Sequence, residues 1–181
     1  MYRVELPTWR LFVPSQAVGT SVVFFDLFNA TGSASHLLVQ SVIPVVSGAV
    51  AISGVIAVDV FLTRTSAVGT GGTAATQNGA GLTTCTFSDV GTGGGPLSPS
   101  ITARLTPSGG ATAGAVLAQA SLFTEETNAG TYAPPQCMVR RGMIDVPPIE
   151  VIEGTGVRVV QNAVASLGNI GFDILFQVKA R

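Results

Sequence analysis

Apolar residues recur at every second position over most of this chain. In Val22–Asn29, "VVFFDLFN", Val23, Phe25 and Leu27 fall on one face, and Val22, Phe24, Asp26 and Phe28 on the other. In Val55–Thr63, "VIAVDVFLT", Ile56, Val58, Val60 and Leu62 share an apolar face. "FDILFQVK", Phe172–Lys179, sets Phe172, Ile174, Phe176 and Val178 against Asp173, Leu175, Gln177 and Lys179. Successive side chains of an extended chain point to opposite sides, so this period marks half-buried antiparallel strands. Further strands are expected at Arg3–Leu6, Arg10–Val13, Leu37–Ile43, Ala49–Ile52, Ile101–Leu105, Val116–Phe123, Gln136–Arg140, Ile149–Ile152 and Val157–Gln161. "IEGTGVRVV" reads as a hairpin around Glu153-Gly154-Thr155-Gly156, with glycine supplying positive φ. No stretch of helical length carries a 3.6-residue period with caps.

Many short strands punctuated by Gly and Pro predict an all-β fold, an antiparallel sandwich or barrel. Strand count favours a jelly roll over an immunoglobulin-like sandwich. Residues 1–181 suit a single β domain, with an N-terminal arm expected over about residues 1–20. The apolar run Ser41–Leu62 contains Pro44, Gly48, Gly54 and Asp59 and is rich in β-branched residues. Two buried strands with a turn explain it better than a membrane span. Gly69–Pro99 and Pro107–Ala115 read as long, strand-poor Gly/Thr/Ser loops. They are too poor in charge for ordinary solvated linkers, and are expected to become ordered against neighbouring subunits.

Composition turns attention to surfaces. Charged residues make up 10% of the chain and hydrophobic ones 46%, against a usual charged share of about 25%. So thinly charged a surface suits a protein that packs against other subunits. The net charge of −1, with Arg140-Arg141 as the only adjacent basic pair, excludes a phosphate-tracking nucleic-acid groove. The opening "MYRVELPTWRLF" interrupts its apolar residues with Arg3, Glu5, Pro7 and Arg10, unlike a signal peptide. A membrane partner is therefore not expected.

Chemistry is sparse. "GTGGTAATQNGAG" has glycines, but no lysine follows them and no βαβ spacing surrounds them, so Gly69, Gly71 and Gly72 read as backbone geometry. Arg64, at the preceding strand end, is positioned to pin that loop or a neighbouring subunit. Glu125-Glu126 would point to opposite faces of a strand, which suits a solvated loop better than paired acid–base work or calcium. His36 is the sole histidine, with no nucleophile elbow, and suits a hydrogen-bonded strand edge; it cannot build a zinc site alone. Cys85 and Cys137 lack metal or redox spacing and leave two states open, free thiols or one disulfide. Asn29-Ala30-Thr31 matches a glycosylation sequon, but serves better as a turn. No catalytic residue, metal or cofactor is expected. Trp9, Arg64, Gly69, Gly71, Gly72, Arg140 and Arg141 are the candidate interface residues.

The ordered series "DLFNATGS", "VDVFLTRTSAVGTGGTA", "LFTEETNAG", "IEVIEGTGVRVVQ" and "GFDILFQVKAR" resembles small virion proteins of tailed bacteriophages. The resemblance runs from about Phe25 to Arg181. It implies a β-rich structural virion protein, a capsid decoration or cement protein on the outer surface of the viral capsid. Its implied partners are the major capsid (coat) protein and neighbouring copies of itself, as a homo-oligomer and first of all a homotrimer. It also implies synthesis in the bacterial host cytoplasm. The alternative is a neck- or tail-associated β-domain that binds host surface or carbohydrate.

Overall fold

The two-residue period becomes strands throughout a computed structural model that describes residues 6–47, 56–79, 83–91, 95–109, 113–124, 138–140 and 147–181. Among the described residues there are thirteen strands and no helix. They are β1 (Thr8–Ala17), β2 (Val23–Asn29), β3 (Ser35–Ser47), β4 (Ile56–Thr65), β5 (Thr73–Ala74), β6 (Thr76–Gln77) and β7 (Thr86–Asp89). Then follow β8 (Ile101–Leu105), β9 (Ala113–Thr124), β10 (Val139–Arg140), β11 (Ile149–Val151), β12 (Thr155–Gln161) and β13 (Asn169–Ala180).

The strands form two packed sheets. One runs β6-β7-β1-β13-β3, with β10 and β11 both on the far side of β3; the other runs β5-β8-β2-β12-β4-β9. All pairings are antiparallel except β6 with β7. Leaving aside the insertion between β4 and β9, the orders are β1-β13-β3-β10/β11 and β2-β12-β4-β9. The chain alternates between sheets in the way of a jelly roll, as the sequence pattern predicts.

The inward faces supply the core. Trp9, Leu11 and Val13 of β1, Leu37 and Val39 of β3, and Ile170, Phe172, Ile174 and Phe176 of β13 meet Phe25, Leu27, Val58, Val60, Leu62, Val157 and Val159. Phe172 sits between Phe24 and Phe25, with ring centroids 5.3 and 5.6 Å away. Each such side chain contributes about 1.5–3 kcal/mol on full burial, so this two-sided apolar seam holds the sheets together.

The structure corrects three expectations of organisation. Thr8–Ala17 is no arm: β1 lies between β13 and β7, with Trp9 opposite both Phe176 and Asp89. Its alternation of Trp9, Leu11 and Val13 buries one face, which drives it into the sheet. Arg3–Glu5 and Ala49–Ile52 lie outside the described residues. Secondly, "IEGTGVRVV" is not a hairpin, because β11 pairs with β3 while β12 pairs with β2 and β4 in the other sheet. The turn chemistry still holds, since Gly154 has φ 75° and the Thr155 N–H donates to the Ile152 carbonyl at 3.2 Å. The chain uses that turn to change sheets.

Thirdly, Gly69–Pro99, though short of strand, is not only loop. It contributes β5, β6 and β7, and with β8 it extends both sheets on the β1/β2 side. Between β5 and β6 the chain passes from one sheet to the other. The Ala75 N–H donates to the Ala103 carbonyl at 2.9 Å and the Thr76 N–H to the Cys85 carbonyl at 3.1 Å. Two-residue strands cannot display a period. The described part of this region is ordered by its own sandwich and stitches one side of it.

Candidate assembly surface

From Thr65 at the end of β4 the chain must reach the far edge of β8, crossing β12 and β2 on the way. It crosses the outer face of the sheet, above Asp26. The Gly69 N–H donates to Asp26 Oδ2 at 2.5 Å, and the Arg104 N–H donates to Oδ1 at 3.1 Å. Arg104 on β8 and Arg158 on β12 stand opposite Asp26 in the two flanking ladders. Asp26 is fully buried. Burial pushes its carboxyl above the ordinary aspartate range, against the lowering pull of both N–H groups and both arginines. The glycine segment does cradle an anion, and that anion is the chain's own carboxylate.

The three glycines are there for space and backbone angle. A side-chain carbon on Gly69 would overlap the Asp26 carboxylate and lie 2.6 Å from Pro107 Cβ. Gly71 and Gly72 have φ of 70° and 63°, a region that disfavours other residues. At Gly72 an added carbon would also collide with the Leu105 carbonyl and lie 2.7 Å from that of Thr106. The residue that pins the loop is Arg104, whose Nη1 donates to the Gly71 carbonyl at 3.0 Å. Arg64, assigned that role from sequence, turns elsewhere and donates to the Glu150 carbonyl at 2.6 Å. Gly69 is buried against Asp26, while Gly71 and Gly72 are exposed.

The remaining sequence-derived candidates do not converge. Trp9 is 2% exposed and belongs to the core, so it is not available to a neighbour. Arg140 lies in β10 opposite Ser41, and Arg141 lies outside the described residues, as do Cys137, Glu125 and Glu126. His36 Nδ1 is 2.7 Å from Glu150 Oε1, a hydrogen-bonded strand histidine as its setting suggests. Asn29 is buried and its side-chain amide donates to the Ser35 and Val151 carbonyls at 2.8 and 3.2 Å, so the folded sequon is closed to modification. Among the described residues no group of three or more His, Cys, Asp or Glu is placed to hold a metal ion.

Cys85 is buried, and that burial pushes its thiol up to about 12. Such a thiol is neither accessible nor ionised near neutrality. In a Cys137→Ser background, Ellman's reagent is expected to leave native protein unlabelled and to modify Cys85 after denaturation. Rapid labelling of the native protein at pH 8 would contradict the burial.

Among the described residues the fold leaves one long terminal strand open. The insertion seals the β1/β2 side, whereas β9 ends its sheet on the opposite side with no strand partner beyond it among the described residues. Val116 on β9 is 59% exposed, and at one end of the sandwich Val45, Val46, Val164 and Leu167 are also exposed. A cleft of about 390 Å³ beside β8 is lined by Phe28, Val68, Phe87, Ile101 and Arg104 among others, without a carboxylate, histidine or cysteine. That lining offers no acid–base pair. No helix among the described residues is long and apolar enough to cross a membrane.

No family model matches the chain, and no match was found among curated proteins or solved structures.

Proposed function

We propose that this chain is a structural virion protein of a tailed bacteriophage, a capsid decoration or cement protein that binds the coat shell and neighbouring copies of itself. The observation that carries the reading is the edge of β9, open among the described residues: twelve residues, Ala113–Thr124, without one charged side chain or proline. Soluble proteins ordinarily blunt such an edge with charge, proline or a covering segment. A protein that completes a lattice has reason to keep it bare, because strand addition supplies main-chain hydrogen bonds to a neighbour. The motif series in the sequence supports the same reading, as does the low overall charge. Binding only to the assembled shell stabilises that shell by mass action, and repetition over many copies multiplies weak contacts.

Purified protein is to be mixed with shells assembled from the coat protein of the same genome and pelleted. It is expected to co-sediment at a fixed ratio and to raise the temperature at which the shells break open. Full recovery in the supernatant, with no change in shell stability, would defeat the decoration role. Density at the neck or tail in images of the particle would replace it with the accessory alternative.

A further inference from the structure

We infer that the occupant of the β9 edge is β9 of a second copy, paired antiparallel about a two-fold axis. The inference rests on the assembly reading above and specifies its first contact. Ala118–Thr124 pairs with β4 in unbroken register, from Ala118 opposite Leu62 to Thr124 opposite Ile56; the irregularities lie at the other end of β9, around Thr63. In a regular antiparallel ladder alternate residues turn N–H and C=O away from the existing partner. Among the described residues the outer side of Ala118–Thr124 is therefore a straight template with which another extended strand can pair.

Two features select a second copy over another partner. The first is length. The other terminal strands among the described residues, β5, β6, β10 and β11, have two or three residues each, whereas β9 has twelve. A ladder along the whole of β9 needs an edge of similar length, and on this chain the described edge that provides it is β9 itself. The second is charge. A two-fold antiparallel pair sets residues near the axis against their own copies, so any charge there would repel itself. Ala113–Thr124 carries none, in any register. Joined this way, two six-stranded sheets become one continuous sheet of twelve across the dimer.

This symmetry gives two copies, where the resemblance implies three, so oligomeric state is a direct test. Sedimentation of the full chain from nanomolar to high micromolar concentration is to be combined with backbone hydrogen exchange and with the variants Gln119→Lys and Val116→Lys. Both residues are exposed, and neither is in the buried core. Expected are a concentration-dependent dimer and exchange protection of alternate amides in Ala118–Thr124 that disappears on dilution. Each lysine is expected to weaken the dimer at least about tenfold with an unchanged circular-dichroism spectrum. A monomer at all concentrations overturns the inference, whether its β9 amides exchange freely or are protected by the chain itself. So does a dimer indifferent to both lysines. A trimer whose β9 amides stay unprotected also overturns it, while leaving the assembly reading intact; absence of any binding to coat shells would remove that reading instead.

Discussion

Asp26→Ala is expected to destabilise the fold by about 2–5 kcal/mol, measured as a fall in the denaturant midpoint at pH 7. The carboxylate is buried and accepts the Gly69 and Arg104 N–H groups. Each buried donor left without a partner costs about 1–3 kcal/mol. The alanine also leaves the Arg104 and Arg158 guanidinium groups without the charge that stands opposite them, a loss that replacement by a small apolar side chain does not offset. Asn at this position retains one acceptor oxygen and sets an NH2 against the second donor, so Asp26→Asn is expected to cost about 1–3 kcal/mol. A change below about half a kcal/mol in both variants would mean that the loop is held without Asp26.

The pH dependence of the same pair has a definite sign. Folding raises the Asp26 carboxyl through burial, so the folded protein takes up this proton more readily than the unfolded chain. The associated stabilisation is complete below the ordinary aspartate value of 3.8 and is lost as pH rises through the raised folded value. Asp26→Asn does not titrate. The stability gap between wild type and Asp26→Asn is therefore expected to be larger near pH 4 than at pH 7. An ordinary exposed ion pair would give the opposite slope. Glu153, whose carboxyl is held low chiefly by the Ala34 N–H, loses its contribution as pH falls through its lowered folded value, and does so equally in both proteins. Comparing the two removes it.

How far the sequence carried the structure depends on the range of the interaction involved. β2, β4, β12 and β13 are legible because a strand with a buried face writes a local period of two. The same rule placed Arg10–Val13 in a strand, yet gave no sign that β1 would sit between β13 and β7, since both neighbours lie far from it along the chain. Arg10 donating to Asp173 at 2.7 and 2.8 Å spans a separation of 163 residues. Asp26 is the clearest missed signal. An aspartate inside "VVFFDLFN" reads as a solvated outer face, but Asp26 is buried where the crossing loop bonds it through the Gly69 N–H, and Phe24 beside it packs on Phe172 in the core. The glycines and the aspartate were each visible; the long-range contact that joins them was not. The edge position of β9 is hidden for the same reason, although its lack of charge is plain in the residues.

Gly72→Ala is expected to destabilise by about 2–5 kcal/mol, the sum of two separable costs. A side chain at φ 63° costs about 1–2 kcal/mol, and forcing a methyl into a filled site adds about 1–3 kcal/mol. The second cost arises because the added carbon meets the Leu105 and Thr106 carbonyls, which are backbone and cannot swing aside. Gly95 provides the control: its φ is 72°, but nothing lies within 4 Å of the added carbon. Gly95→Ala should therefore show the angular cost alone, about 1–2 kcal/mol. Equal losses in the two variants would show that the close carbonyls yield without cost. The same loop also decides the phosphate question by experiment. Its Gly69 N–H is already bonded to Asp26 and buried, so nucleotide titrated into wild type is expected to give no heat of binding and no rise in melting temperature. Micromolar nucleotide affinity, abolished by Gly71→Ala with the fold intact, would assign the glycines to ligand chemistry and overturn their role as the strap over Asp26.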